Sequence, residues 1–402
     1  MSFAAGRPVL AIPGPSPVPD RVLRAMHRPA PDIYAGELVG TNATAIAGLK
    51  RLAGTRHHLA PYIGNGHAGW EAANANLFAP GDRALVMTTG HFGRGWAAAA
   101  GARGIDVETM DFDTAVAPDP ARLAQRLAAD LRDGGRPFRA VLVCHVDTAS
   151  GVRADIAALR AAIGDHPALL AVDAIASLGC DELRMDDWGV DVLVSASQKG
   201  LMVPPGLAFV WFSDRVGRSR AAASPYWDWT SRAAALPEEV WRFWGGTPPV
   251  QHVFGLAEAL AMLLDEEGLE AAWARHEGLA RAVWAAVDAW GRGADGAATG
   301  IGCNVADPAH RARSVTTVNL PGADRLRDWC VTRAGVTLGI GLGAADPANA
   351  LRIAHMGHAS AHMLLGVLGV MQAGMTALSI PHGPGALDAA AATIARLART
   401  NG

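Results

Sequence analysis

Short apolar runs separated by polar or glycine-rich turns alternate with segments of helical spacing through the first half of the chain. Ala84–Met87, Ile105–Met110 and Ala140–Cys144 read as strands, and Asp119–Leu131 and Ile156–Ile163 as helices. The stretch from Ala168 to Ser213 holds three more apolar strands, Leu169–Val172, Asp191–Ser195 and Leu207–Phe212. Strands alternating with helices at this spacing argue for right-handed βαβ units and a mostly parallel sheet. Beyond it, Pro248 and Pro249 open a helix over Val250–Leu264, since proline is tolerated in a first turn. A second long helix, Leu269–Trp290, stops at Gly291 and bridges to a smaller α+β portion. That portion holds strands Ser314–Leu320, Val336–Ile340 and Leu351–Ile353, and helices Asp324–Ala334 and Ala361–Gly374.

The N-terminus breaks this pattern. Met1–Asp20 is proline-rich and predicts an extended arm, with Asp20 as N-cap of a helix over Arg21–Met26. Tyr62–Ala73 reads as a glycine-containing turn running into an amphipathic helix that ends before Pro80. Ser224–Glu239 is aromatic-rich without periodicity and predicts a long loop. The resulting division is an arm (1–20), a large domain (21–265) and a small C-terminal domain (266–402).

Composition narrows the function classes. A chain of 402 residues, half hydrophobic and 18% charged, can fill two cores and is not disordered. A net charge of −3 gives no reason to expect nucleic acid or an anionic membrane. The apolar runs fall short of a membrane span, and no charged segment followed by an apolar core marks a secretory signal. Cys144, Cys180, Cys303 and Cys330 are scattered, which predicts reduced thiols in a cytoplasmic protein and no metal site.

Two charged residues stand at strand ends: Asp173 closes one and Lys199 follows the next. In an open parallel sheet such positions line the ligand crevice, so an acid and an amine should converge there. Lys199 has Gln198 before it and Gly200, Leu201, Met202 and Val203 after it, so little charge competes for its amine. A desolvated lysine can attack a carbonyl, and pyridoxal phosphate enzymes pair such a lysine with an aspartate on the pyridine nitrogen. Taken alone, the pair fits equally a surface lysine and a helix-capping aspartate. Asn65-Gly66-His67 sits at a helix start, where free N–H groups favour a phosphate. Arg352 lies in an apolar strand and suits a carboxylate. The glycine-rich Gly339–Gly343 follows no strand-to-helix dinucleotide pattern.

The segments SQKGLMVPPGL and VDAIASLG resemble the cofactor-lysine region of class V (fold type I) aminotransferases, most closely the serine–glyoxylate and alanine–glyoxylate branch. The similarity runs from PGPSPVP to LRIAHMGH. It implies pyridoxal 5′-phosphate held on Lys199, with Asp173 at the ring nitrogen and Asn65, Gly66, His67 and Gln198 around the cofactor. It also implies Phe92 stacked on the ring and Thr148 at the ring's oxygen side. Asp147 replaces the family's more usual Glu. Thr247 matches a segment that reaches across a homodimer to the neighbour's phosphate, where Trp244 stands in place of the commoner Tyr. Arg352 and Tyr34 fall at substrate-binding positions, and PDIYAGEL departs there from the branch's His-Arg-Ser-Pro.

The reaction implied is ping-pong transfer of an amino group, through a Schiff base, from serine or alanine to a 2-oxo acid such as glyoxylate or pyruvate. Competing readings are another pyridoxal phosphate activity, such as a pyridoxamine–pyruvate transaminase or a lyase, and a non-catalytic small-molecule binder. A desulfurase lacks a convincing loop cysteine, and a nucleotide-dependent oxidoreductase lacks its glycine fingerprint.

Overall fold

A computed structural model describes residues 1–217 and 224–400. The described residues build two larger sheets and one short hairpin; two apolar clusters pack on the first sheet and a separate one on the second. The first strand, β1 (Val9–Ala11), is followed by helices α1 (Asp20–Met26) and α2 (Glu37–Ala53). Next come β2 (His58–Gly64), α3 (Gly66–Leu77), β3 (Arg83–Thr88), α4 (His91–Gly101) and β4 (Asp106–Asp111). Then follow β5 (Ala140–Cys144), a short antiparallel hairpin of β6 (Val146–Asp147) and β7 (Val152–Arg153), β8 (Leu169–Asp173), β9 (Val192–Ala196) and β10 (Gly206–Phe212).

The larger sheet has seven strands in the order β2-β10-β9-β8-β5-β3-β4. Every residue of β5, β8 and β9 is buried, which is why these strands read as unbroken apolar runs rather than alternating ones. Pairings within β9-β8-β5-β3-β4 are parallel. β10, the expected strand Leu207–Phe212, runs antiparallel to both its neighbours. This reversal is allowed because only the short Ser197–Pro205 connection joins it to β9, with no crossover helix to force parallel pairing.

The second sheet, β1-β13-β14-β12-β11, uses β11 (Gly302–Cys303), β12 (Val315–Asn319), β13 (Val336–Ile340) and β14 (Ala350–Ala354). Its edge is the N-terminal arm itself, since Val9–Ala11 pairs in parallel with Val336–Leu338. The extended arm is therefore a strand that ties the start of the chain to its end. Asp20 is not the N-cap of α1: Pro19 holds that place, and Asp20 opens the helix in an ion pair with Arg7 at 2.8 Å. The helix opened by Pro249 is regular to Leu260 and continues to Glu267 as a wider π-type turn. The helix Ala386–Thr400 closes the chain against Leu269–Trp290. No helix among the described residues is long and apolar enough to cross a membrane.

Candidate active site

A cavity of about 280 Å³ opens at the carboxyl ends of the large-sheet strands. That volume is near the lower bound, roughly 300 Å³, for sites that enclose small molecules. Asn65, Gly66, His67, Phe92, Thr148, Asp173, Gln198 and Lys199 all line it. Parallel strand order brings them together from positions more than a hundred residues apart in sequence.

Lys199 follows β9 and is 8% exposed. Its amine donates a short hydrogen bond to the Pro13 carbonyl and lies 5.9 Å from the centre of the Phe92 ring. Burial, with Arg352 nearby, lowers its pKa to about 8 against the partial opposition of Asp173. The arm makes this possible. Ser16 donates to the Lys199 carbonyl at 2.7 Å, and a Cβ on Gly14 would lie 2.6 Å from Lys199 Cε. Of the two lysines in the chain, the other, Lys50, sits in the last turn of α2.

Asp173 ends β8 and is 3% exposed. Oδ1 accepts the Ile175 N–H at 2.7 Å and Oδ2 accepts the Trp70 indole N–H at 2.9 Å, with the Cys144 thiol at 3.8 Å. Burial raises its pKa to about 6, and the two N–H donors pull against that rise. Asn65 caps α3 by accepting the His67 N–H at 3.1 Å, which leaves the helix start facing the cavity. Gly66 leaves space for a neighbour there: a Cβ would come within 2.5 Å of Ile175 Cδ1, and that side chain would have to shift.

Phe92 is the second residue of α4. Asp147, fully buried, anchors that helix start: Oδ2 accepts the Phe92 and Gly93 N–H groups at 2.9 and 3.1 Å, and Oδ1 accepts the Ala149 N–H at 2.9 Å. Gly90 leaves room for it, since a Cβ would sit 2.6 Å from the carboxyl carbon.

The second sheet grips the loop that carries Thr148. Arg352 Nη1 donates to the Thr148 carbonyl at 3.1 Å, Thr317 Oγ1 to that of Ala149 at 3.1 Å, and Asn304 Nδ2 to that of Ser150 at 2.9 Å. The Ala312 N–H donates to the Gly151 carbonyl at 2.9 Å. Arg352 also donates through Nε to Ile340 at 2.8 Å, and burial lowers its pKa to about 10. It stands one hydrogen bond behind the cavity wall.

Residues 61–365 match the model of the family described as Aminotransferase class-V. The chain belongs to that family. It is a transaminase dependent on pyridoxal 5′-phosphate. It is 33% identical, over 92% of this chain and 91% of the relative, to the L-aspartate–glyoxylate aminotransferase of Paracoccus denitrificans. It is 32% identical, over 97% and 96%, to the serine–glyoxylate aminotransferase of Methylorubrum extorquens. Among solved structures it resembles the pyridoxamine–pyruvate aminotransferase of Mesorhizobium loti. There the TM-score is 0.86 at 26% identity, covering 98% of this chain and all of the other.

Besides Arg352, three residues that the class V resemblance assigned lie off the cavity wall. Tyr34 is 68% exposed and Thr247 is exposed. Trp244 is 1% exposed within the large core, and its indole N–H is taken by Asn42 Oδ1 at 3.0 Å. Buried there, its side chain lies away from the cavity of its own chain. Conversely, sequence reasoning passed over Trp70, Gly14 and Ile175, which the cavity includes. Only Trp70 carried a usable signal, as an aromatic one turn into the helix that Asn65 caps.

Proposed function

We propose that the enzyme transfers an amino group from a small amino acid, serine or alanine, to glyoxylate or pyruvate by a ping-pong reaction in a cytoplasmic homodimer. The observation that carries this reading is the buried pairing, in one cavity, of the Lys199 amine with the Asp173 carboxylate. The donor set suits pyridoxal 5′-phosphate: a low-pKa amine, a buried acid and an open helix start. Named relatives that use glyoxylate support the acceptor. Four unpaired cysteines are in keeping with a reducing compartment. Two sheets with separate cores support the division near residue 265, with the arm joined to the second.

When bound, the cofactor supplies an electrophilic aldehyde and a ring that takes up electrons released at the donor's α-carbon. Lys199 would hold it covalently and, when its amine is free, would act as the base that takes the α-carbon proton and delivers it on, a role its lowered pKa of about 8 suits. Asp173 faces the ring nitrogen and keeps it protonated. Asn65, Gly66 and His67 would receive the phosphate at the start of α3, Gln198 beside Lys199 would help hold the cofactor, Phe92 would cover the ring face, and Thr148 would meet the ring oxygen. Arg352 orients the substrate carboxylate, exchanging its bond to Thr148 for a bidentate contact. Tyr34 and Thr247, both exposed, act in the neighbouring subunit's site.

With only two lysines present, borohydride reduction of the yellow protein should fix one cofactor on Lys199 and none on Lys50. Lys199→Ala should be colourless after dialysis, and a variant that keeps the wild-type visible band refutes the assignment. Mixing the enzyme singly with serine, alanine, aspartate, glycine and pyridoxamine, and following loss of that band, identifies the donor. A response to pyridoxamine alone replaces this reading with the pyridoxamine–pyruvate one, which the overall likeness to the Mesorhizobium loti enzyme favours.

A further inference from the structure

Twelve tryptophans are present, and one of them faces the cavity. Trp70 is 2% exposed, so apolar burial accounts for its presence but not for the direction of its N–H. Packing in this protein does not force an indole N–H to find a partner: those of Trp211, Trp229 and Trp273 are buried without one. That of Trp70 is aimed at Asp173 Oδ2, at 2.9 Å. The ring is itself braced. It stacks on Trp96 with centroids 6.2 Å apart and planes 8° from parallel, and Trp96 is anchored on Asn74 Oδ1 at 3.1 Å. On its other edges it meets His67 at 4.8 Å and Phe92 at 6.4 Å, both edge-to-face. One rigid side chain thus touches three groups of the cavity wall.

We infer that Trp70 is a positioning residue of the transamination site, one indole that sets the orientation and charge of Asp173 and fixes the spacing between His67 and Phe92. The inference rests on the reading that Asp173 faces the cofactor ring. The charged or titratable groups around that carboxylate are Lys199 after β9, Asp147 in β6, Cys144 at the end of β5 and His67 beside Trp70 on α3. Burial disfavours the anion most, and Asp147 adds to that; the two fixed N–H donors, Ile175 and Trp70, and then Lys199 oppose it. A hydrogen bond to a charged acceptor is among the stronger kinds, and only the Trp70 donor can be removed by changing a side chain.

The test is Trp70→Phe, which keeps an aromatic ring and loses the N–H. Benzothienylalanine at position 70 provides a second variant with the indole outline and no donor, should the smaller ring disturb folding. Both should still carry cofactor on Lys199. The acid limb of the kcat profile should move up by about one pH unit, and cofactor should dissociate about tenfold more readily, as loss of one charge-assisted bond implies. The donor KM should change far less than kcat. In an Asp173→Asn background the same replacement should add almost nothing to cofactor affinity. Trp96→Phe, which loosens the stack but leaves the Trp70 N–H in place, should not shift the acid limb. An unmoved acid limb with wild-type cofactor affinity in both Trp70 variants overturns the inference while leaving the proposed function standing. Asp173→Asn holding cofactor as tightly as wild type overturns the ring-facing role of Asp173, and the inference with it.

Discussion

Asp147→Ala is the substitution whose cost the geometry specifies most fully. The carboxylate is fully buried and accepts three backbone N–H groups, those of Phe92, Gly93 and Ala149. Alanine leaves all three without a partner. A buried donor left unsatisfied costs about 1–3 kcal/mol, and entry of water from the adjacent cavity puts each near the low end. The start of α4 also loses its acid, at about 0.3–1 kcal/mol. The sum is roughly 3–4 kcal/mol, large against the usual effect of a single substitution. Asp147→Asn distinguishes the hydrogen bonds from the charge. Its one oxygen can serve Phe92 and Gly93, but its NH2 then points at the Ala149 N–H, so it should lose about 1–2 kcal/mol. Urea unfolding of the cofactor-free protein measures both values. The charge has a second readout: Asp147 supports the protonated forms of Lys199 and Arg352, so either variant should lower the Lys199 pKa further below about 8. Unfolding free energies of Asp147→Ala and wild type within about 0.5 kcal/mol of each other would show that the carboxylate does not hold the helix start.

Gly14→Ala places a methyl 2.6 Å from Lys199 Cε at a backbone φ of +116°, so both the turn and the lysine must give. Strain of about 1–3 kcal/mol and at least a tenfold loss of cofactor affinity should follow, measured by equilibrium dialysis, and wild-type affinity refutes the contact. Burial lowers the Lys199 pKa from 10.5 to about 8, so between those pH values the unfolded chain binds a proton that the folded chain lacks. Stability of the cofactor-free protein should therefore rise with pH across that window, by up to roughly 3 kcal/mol from this group. Lys199→Met should be the more stable protein at pH 7, with its advantage fading towards pH 10.5. An advantage that stays constant over that range removes the buried amine as its cause.

Much of the large sheet was written in the chain. Its central strands β5, β8 and β9 are buried on both faces, so a continuous apolar run marks each one whatever its neighbours are. Asp173 and Lys199 were legible for the same reason, because a charge at the end of such a run stands out. What the local pattern could not specify was direction and partnership. Val9–Ala11 is too short to announce that it will pair with Val336–Leu338, and the sense of β10 follows from the length of one turn. The helix Glu37–Ala53 hides behind Gly40, Thr41, Asn42 and Thr44, weak helix formers whose face is settled only by packing. With that helix unseen, Asn42 could not be recognised as the acceptor that draws Trp244 inward.

The chain by itself therefore determined which residue types the chemistry has to work with: an amine in apolar surroundings, an acid at a strand end, a helix start with a capping Asn. Only the tertiary structure decided which N–H groups face which carboxylate, and so the state in which that acid and amine meet. Hydrogen-bond partners such as Trp70 for Asp173, or the α4 start for Asp147, are separated by 103 and 55 residues. No periodicity encodes such a pairing; close packing of the whole sheet and its helices does.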